Sequence, residues 1–326
     1  MKIGVVISGG DVSGINNFIF QIARLTQAEI TLFNGGIPGL LEKKHNEIAW
    51  CDLVDFSIAS IPIITSGRTT RKLVRSEYEA IAKKLKSLRI DVLIMAGGDG
   101  SLQFLNTLSE FDVNCFGVGM TIDNDVYGSD YSIGFSTACE QIIKEVSRLR
   151  NTGRALPGRV FMVEVLGGYC GELTLQSAIK SNADIALIPE CQIPVDELAE
   201  RIKTRLARQN SVVVLCSEGY TREYSPGFQG AIDTMIKQLE PRIGVRIRKT
   251  IIGYGLRNGD PTCEEIYQGT IMASEVVRCI QSGMKNKAII INSSNKPIPI
   301  DLISMKKRLV DTEGHPYKLA KQLNII

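Results

Sequence analysis

DVLIMAGGDGSLQFLNTLSEFDVNCFGVGMTIDND, residues 91–125, holds the pattern from which both the fold and the chemistry can be read. Val92 to Ala96 is an uninterrupted apolar run, the mark of a strand buried on both faces. It breaks at Gly97-Gly98-Asp99-Gly100-Ser101, after which Leu102 to Leu108 resumes at helical spacing. At such a strand-to-helix turn, backbone N–H groups can approach a phosphate and the helix dipole favours its negative charge. Asp99 adds a hard carboxylate suited to Mg2+ beside phosphate oxygens. A second apolar strand, Cys115 to Val118, runs into Thr121-Ile122-Asp123-Asn124-Asp125 and puts two more carboxylates at a strand end. A phosphate cradle, a metal carboxylate and a spare carboxylate base are the parts of a phosphoryl transferase.

The same grammar extends outward. Lys2 to Ile7 is a buried strand, followed by a second glycine turn, Ser8-Gly9-Gly10-Asp11 and Ser13-Gly14-Ile15-Asn16. The next helix turns Ile19, Ile22, Ala23 and Leu25 toward a core. This is how a doubly wound α/β sheet opens. Further helices are expected at Tyr78–Leu88, Ser136–Leu149, Gly171–Ala178, Val195–Ala207, Phe228–Leu239 and Glu264–Gln281, with a short helical tail. Strands are expected at Val160–Val165, Ile185–Ile188, Val212–Cys216, Thr250–Ile252 and Ala288–Ile291. No low-complexity linker or short-period repeat interrupts this alternation.

Composition narrows the function. The 326 residues suffice for one large or two moderate domains, and 44% hydrophobic with 22% charged content is ordinary for a globular chain. A net charge of +3 without a dense basic run gives no reason to expect nucleic acid. The eight cysteines form no CxxC pair, and since most sit in apolar surroundings they read as reduced core residues of a cytoplasmic protein. MKIGVVISGGD reads as a first strand rather than a signal peptide, and no apolar run reaches the roughly 18 residues of a membrane span. With only His45 and His315, histidine catalysis and a histidine metal site are not expected.

A glycine turn after a strand is common by itself, but GGDGS followed by TIDND, with SGGDVSGIN at residues 8–16, resembles the 6-phosphofructokinase family over nearly the whole chain. The resemblance implies two intertwined Rossmann-like, three-layer α/β lobes with mainly parallel sheets. Residues 1–137 with 257–305 would bind the nucleotide, and 138–256 with 306–326 the sugar phosphate. It further implies that Gly10, Gly98, Gly100 and Ser101 line the donor phosphates, with FNGGIPGL (33–40) beside the adenine. Arg68, with Thr69 beside it, would reach the nucleotide phosphates, whereas Arg71, Lys72 and Arg75 read as a solvated helix start. Asp123 would be the general base toward the 1-hydroxyl of fructose 6-phosphate, and Thr121 would position the transferring group. Asp99, with Asp125 near it, would hold Mg2+.

The second half carries what resemble the family's acceptor elements. Arg159 and Arg248 would cross to the 6-phosphate at a neighbouring subunit's site, so the active species would be at least a dimer and by family habit a homotetramer. Arg257 would serve the same chain, Glu218 would bind sugar hydroxyls, and Thr121, Ile122, Asp123, Leu166, Gly167, Gly168 and Tyr254 would complete the pocket. Arginine suits phosphate because its planar fork meets the oxygens bidentately.

Three departures from the family pattern stand out. Leu166-Gly167-Gly168 replaces Met-Gly-Arg, removing a cation aimed at the transferring phosphoryl group, a loss that typically costs a few kcal/mol. Tyr254 replaces a histidine, and a phenol can still donate. Gly119-Met120 before TIDND matches neither the ATP nor the pyrophosphate signature, while Gly100 leaves room for an α-phosphate and favours ATP. Pyrophosphate as donor, another phosphosugar as acceptor, and a catalytically weak regulatory homologue are the alternatives. Phe20 in place of an arginine and Ala207-Arg208-Gln209-Asn210 without lysines imply a weak effector response.

Overall fold

A computed structural model describes residues 1–42, 45–69, 71–220, 231–302 and 307–326. The chain divides into two compact units, Met1–Thr137 with Arg257–Arg308, and Ala138–Leu256 with Leu309–Ile326.

The first unit is built on a seven-stranded sheet in the order β11-β10-β5-β4-β1-β2-β3. Its strands are β1 (Lys2–Ser8), β2 (Glu29–Phe33), β3 (His45–Ile48), β4 (Val92–Gly97), β5 (Cys115–Gly119), β10 (Lys287–Ile291) and β11 (Pro297–Asp301). The five inner strands run parallel, and β3 and β11 close the edges antiparallel. β1, β4 and β5 are wholly apolar or glycine but for Lys2 and Ser8, and they are buried because helices cover both faces. Helices α1 (Ile15–Thr26), α2 (Gly36–Leu41), α3 (Arg75–Ser87), α4 (Asp99–Ser109) and α9 (Cys263–Gln281) belong to this unit. α1 and α9 are joined through Asn17, whose amide donates to the Ile266 carbonyl at 2.8 Å.

The second unit has a four-stranded parallel sheet, β7-β8-β6-β9, made of β6 (Arg159–Val165), β7 (Ile185–Leu187), β8 (Ser211–Ser217) and β9 (Ile247–Ile251). Val160, Met162, Val212 and Val214 of its strands pack with Leu198, Ile202 and Leu239 of α7 (Val195–Leu206) and α8 (Ala231–Ile243) into one core. Helices α6 (Glu172–Ser181) and α10 (His315–Gln322) lie in the same unit, and α5 (Phe135–Ala155) continues from the first unit into the second.

Several expectations need correction. Leu25 does not join the core: it is 46% exposed, at the edge of the apolar stripe in the last turn of α1. The strand expected at 250–252 is β9, which begins at Ile247, because an edge strand can carry Arg248 and Lys249 in its middle. α4 starts at Asp99 itself rather than at Leu102. β2, β3 and β11 were not foreseen, and the 228–230 start expected for α8 lies outside the described residues, as does the 305/306 boundary.

Candidate active site

The order β2-β1-β4-β5 reverses direction between β1 and β4, and in open α/β sheets ligands bind at the carboxyl ends beside such a reversal. Both glycine turns leave the sheet there, since Ser8 and Gly97 are register partners. Gly97 must be glycine: a Cβ would lie 2.5 Å from Ser101 Oγ and 2.7 Å from the Ser8 carbonyl oxygen. Ser101 is buried, and its hydroxyl donates to that same carbonyl at 3.3 Å, fixing α4 to β1. A third segment closes in, with Ser66 Oγ donating to the Gly9 carbonyl at 2.9 Å and Gly9 N–H to the Gly67 carbonyl at 3.2 Å.

These turns border a cavity of about 640 Å³. Gly98, Asp99, Gly100 and Ser101 at the start of α4, and Arg68 and Thr69 from the third segment, all line it. At Gly98 and Gly100 a Cβ would meet nothing within 4 Å, so both face open space. The first N–H groups of a helix have no partner one turn back, which suits an anion, and in α4 the third of them, Ser101 N–H, turns back to the Gly98 carbonyl at 3.0 Å. Thr69 Oγ1 is buried and unpartnered in the described structure. Ile37 lines the far wall. So do residues the sequence reading passed over: Tyr78 and Phe104, whose rings stack at 5.3 Å, and Lys72, read there as merely solvated. Arg71 lines the cavity too, but its guanidinium is paired with Glu77 at 2.5 Å. Gly10 does not line this cavity. A Cβ on it would lie 1.9 Å from Arg257 Nη1, so that guanidinium lies against the first glycine turn, 3.4 Å from the Asp11 carbonyl it donates to.

The TIDND loop is tied directly to the second turn, as Met120 N–H donates to the Gly97 carbonyl at 2.9 Å. Inside the loop, Asp123 N–H donates to Thr121 Oγ1 at 3.2 Å, and Ile122 is fully buried. Asn124 takes a left-handed φ of 52° and is held on both sides, donating to the Asp130 carbonyl at 3.1 Å and accepting from Ser132 Oγ at 2.9 Å. It serves as the pivot that presents the aspartates flanking it. Asp125 is buried, 3.3 Å from Lys307 Nζ, and the next residue, Arg308, donates its N–H to the Asp125 carbonyl at 2.7 Å. Burial pushes the Asp125 carboxyl upward, Lys307 works against this, and the charge of Asp99 adds to it. Asp99 and Asp125 therefore share one electrostatic neighbourhood.

Beneath the loop lies Glu265 of α9, fully buried and absent from the sequence reading. Its carboxylate accepts from Gly134 N–H at 2.6 Å, and from Thr137 N–H and Oγ1 at 3.2 and 3.1 Å, at the start of α5. Burial raises its carboxyl from 4.5 to about 7 against these hydrogen bonds. It joins α9 to the segment that follows TIDND. Thr262-x-x-Glu265 was the available signal, a capping box in spelling.

In the second unit, Glu218 at the end of β8 accepts from Gly168 N–H at 2.8 Å and Gly167 N–H at 3.2 Å. Gly168 has φ of 58°, a left-handed turn that suits glycine. Gly167 and Gly168 thus form a backbone cradle around the Glu218 carboxylate. Arg159 opens β6, and Arg248 pairs with Phe161 in the neighbouring strand β9. Arg248 Nη1 is buried with no hydrogen-bond partner in the described structure, and a buried guanidinium nitrogen left so is a pointer to an anion. Tyr254 is 77% exposed.

The phosphofructokinase family model matches residues 2–280. The chain belongs to the phosphofructokinase family. An ATP-dependent 6-phosphofructokinase from Clostridioides difficile is 32% identical, over 99% of each chain. A phosphofructokinase structure from Saccharomyces cerevisiae superposes with a TM-score of 0.82 at 25% identity, over 98% of this chain. This chain spans 46% of that yeast one. A pyrophosphate-dependent phosphofructokinase structure from Marinobacter aquaeolei shares the fold, with a TM-score of 0.83 at 17% identity over 99% of this chain and 90% of that one. As a member of this family the chain is a kinase with the phosphofructokinase α/β fold. Within the first unit, Gly98–Ser101, Arg68–Thr69 and Thr121–Asp125 converge on the carboxyl ends of β1, β4 and β5, and Arg257 lies against Gly10. Among the described residues no helix is long and apolar enough to cross a membrane.

Proposed function

We propose that this chain transfers the γ-phosphoryl group of ATP to the 1-hydroxyl of fructose 6-phosphate, giving fructose 1,6-bisphosphate. The observation that carries this reading is the joining of the Asp99 turn to the TIDND loop by Met120 N–H and the Gly97 carbonyl, beside a cavity wide enough for a nucleotide. Binding and positioning dominate phosphoryl transfer, because little covalent chemistry falls to the protein. Gly98, Gly100 and the start of α4 receive the donor phosphates, and Arg68 and Lys72 supply fixed positive charge. Tyr78 and Phe104 form the apolar wall for the base. Asp123 accepts the proton of the attacking hydroxyl, and Thr121, bonded to its backbone, keeps the loop in register.

Mg2+ fits the donor set. Among the described residues no trio of carboxylate, histidine or cysteine groups forms a dedicated metal cage. Mg2+ is ordinarily held by one or two carboxylates together with substrate phosphates, and Asp99, with Asp125 near it, offers that. When bound, it neutralises charge on the donor phosphates.

Glu218, Arg159, Arg248, Tyr254 and Arg257 take the sugar phosphate in this proposal. The orphaned Arg248 nitrogen supports a phosphate there. Arg159 and Arg248 serve a neighbouring subunit, so activity requires at least a dimer and the working form is a tetramer of the cytoplasm; a fully active monomer in sedimentation refutes this. The deciding experiment measures product from fructose 6-phosphate and Mg2+ in parallel with ATP and with pyrophosphate. Turnover with ATP is expected. Turnover with pyrophosphate alone overturns the donor assignment, and turnover with neither overturns the acceptor.

A further inference from the structure

The cation best placed for the chemistry comes from the last stretch of the first unit. Lys307 forms an isolated antiparallel bridge with Val126, the residue directly after TIDND. Arg308 locks the same spot, bonding the Asp125 carbonyl through its N–H at 2.7 Å, the Ser129 carbonyl through its guanidinium, and Asp130 as an ion pair at 3.2 Å. These contacts give Lys307 a fixed backbone origin, so its ammonium is aimed rather than floating. Nζ lies 3.3 Å from Asp125 Oδ2; the Asp125 side chain is 8% exposed and that of Lys307 48%. One end of the pair is therefore buried while the ammonium remains within reach of solvent and ligand. Asp125, Asp99 and Asp123 all stand close enough to act on the Lys307 ammonium. Three carboxylates by themselves would repel an arriving polyphosphate.

We propose that Lys307 is a catalytic residue whose ammonium bridges Asp125 and the transferring phosphate. Placed there, it offsets part of the aspartate charge on donor arrival and steadies the negative charge that gathers on the phosphoryl oxygens during transfer. Only the ammonium end of the pair is exposed, so it is the end that can serve a ligand while it still offsets the buried Asp125 charge. An ammonium carries three rotatable donors, enough to keep Asp125 and take a phosphate oxygen at once. The assignment rests on the phosphoryl-transfer reading above.

Lys307→Met and Lys307→Arg in the full chain test it, with three readouts: steady-state kinetics at saturating Mg2+, titration calorimetry of ATP in EDTA, and thermal melting. Lys307→Met is expected to lose about 10²-fold in kcat with the KM for fructose 6-phosphate little changed. It should bind metal-free ATP roughly tenfold more weakly and melt within a few degrees of the native chain. Lys307→Arg should restore most of both losses. Native kcat in Lys307→Met overturns the proposal, and so does a kcat loss matched by a fall in melting temperature that Lys307→Arg does not repair. If the native chain turns over no fructose 6-phosphate while Lys307→Met still weakens metal-free ATP binding, the cation assignment stands and the acceptor reading falls. If Asp123→Asn is inactive while Lys307→Met is fully active, the reading stands and the cation assignment falls.

Discussion

Gly100→Asp separates stability from function, because the two effects have opposite signs. Gly100 sits in the first turn of α4, and a Cβ there meets nothing within 4 Å. The new side chain therefore enters the cavity without a clash. Aspartate is only about 0.1–0.3 kcal/mol better than glycine as a helix residue, and a carboxylate in the first turn gains about 0.3–1 kcal/mol from the helix dipole. Repulsion from neighbouring Asp99 takes part of this back, leaving a net stabilisation of about 0.5 kcal/mol and a melting temperature about 1 °C higher. Nucleotide binding moves the other way. A carboxylate about 4 Å from a phosphate charge, at an effective dielectric of about 20, repels it by ~4 kcal/mol, or about 10³ in affinity. The assay is the KM for ATP beside a thermal melt, with pyrophosphate as a second donor that lacks the α-phosphate of a nucleotide. A stable variant with an unchanged KM for ATP refutes the placement of Gly100 beside the donor. A variant that unfolds refutes the reading of open space at its Cβ.

Asp123→Asn keeps the loop's backbone bond to Thr121 and removes the base, so kcat should fall about 10²- to 10⁴-fold with melting unchanged; near-native turnover at saturating substrates removes Asp123 from the mechanism. Glu265 makes stability depend on pH. Its carboxyl is raised by burial to about 7, so between 4.5 and 7 the folded chain holds a proton that the unfolded chain has released, and this contribution is lost as pH rises. In urea unfolding, the native chain should lose about 3 kcal/mol relative to Glu265→Gln between pH 4.5 and 8, and parallel profiles refute it. Gly39→Ala would bring a Cβ within 1.7 Å of the Asn34 carbonyl oxygen, so α2 must shift at a cost of about 1–3 kcal/mol, read as a lower urea midpoint and a raised KM for ATP.

How much of this was legible follows from burial geometry. β1, β4, β5, β6 and β8 are covered on both faces, so their sequences are apolar runs that need no context. The edges lack that constraint. β11 is spelled PIPID, and two prolines argue against a strand, yet an antiparallel edge tolerates a residue that cannot donate to the ladder. β3, HNEI, is polar because its residues are exposed or half-exposed, and β9 hides its start under Arg248 and Lys249 for the same reason.

The site divides along a similar line. Glycines at strand-to-helix turns announce themselves, because close backbone approach, as at Gly97, excludes other residues locally. Residues that act through long-range placement do not. Glu265 follows Thr262 at capping-box spacing, and Thr262 does accept from Glu265 N–H at 3.1 Å, so the local reading is fulfilled. Its carboxylate is nevertheless sent 131 positions away, to Gly134, and nothing in the four-residue signature encodes that. Lys307 is a harder case, since it stands between Lys306 and Arg308 with no feature of its own. Only the bridge to Val126 selects it, and that bridge exists because Arg308 already anchors to the TIDND backbone. A short charge run can thus contain one residue whose position is fixed by its neighbour, and chemistry at a strand end can draw its cation from there.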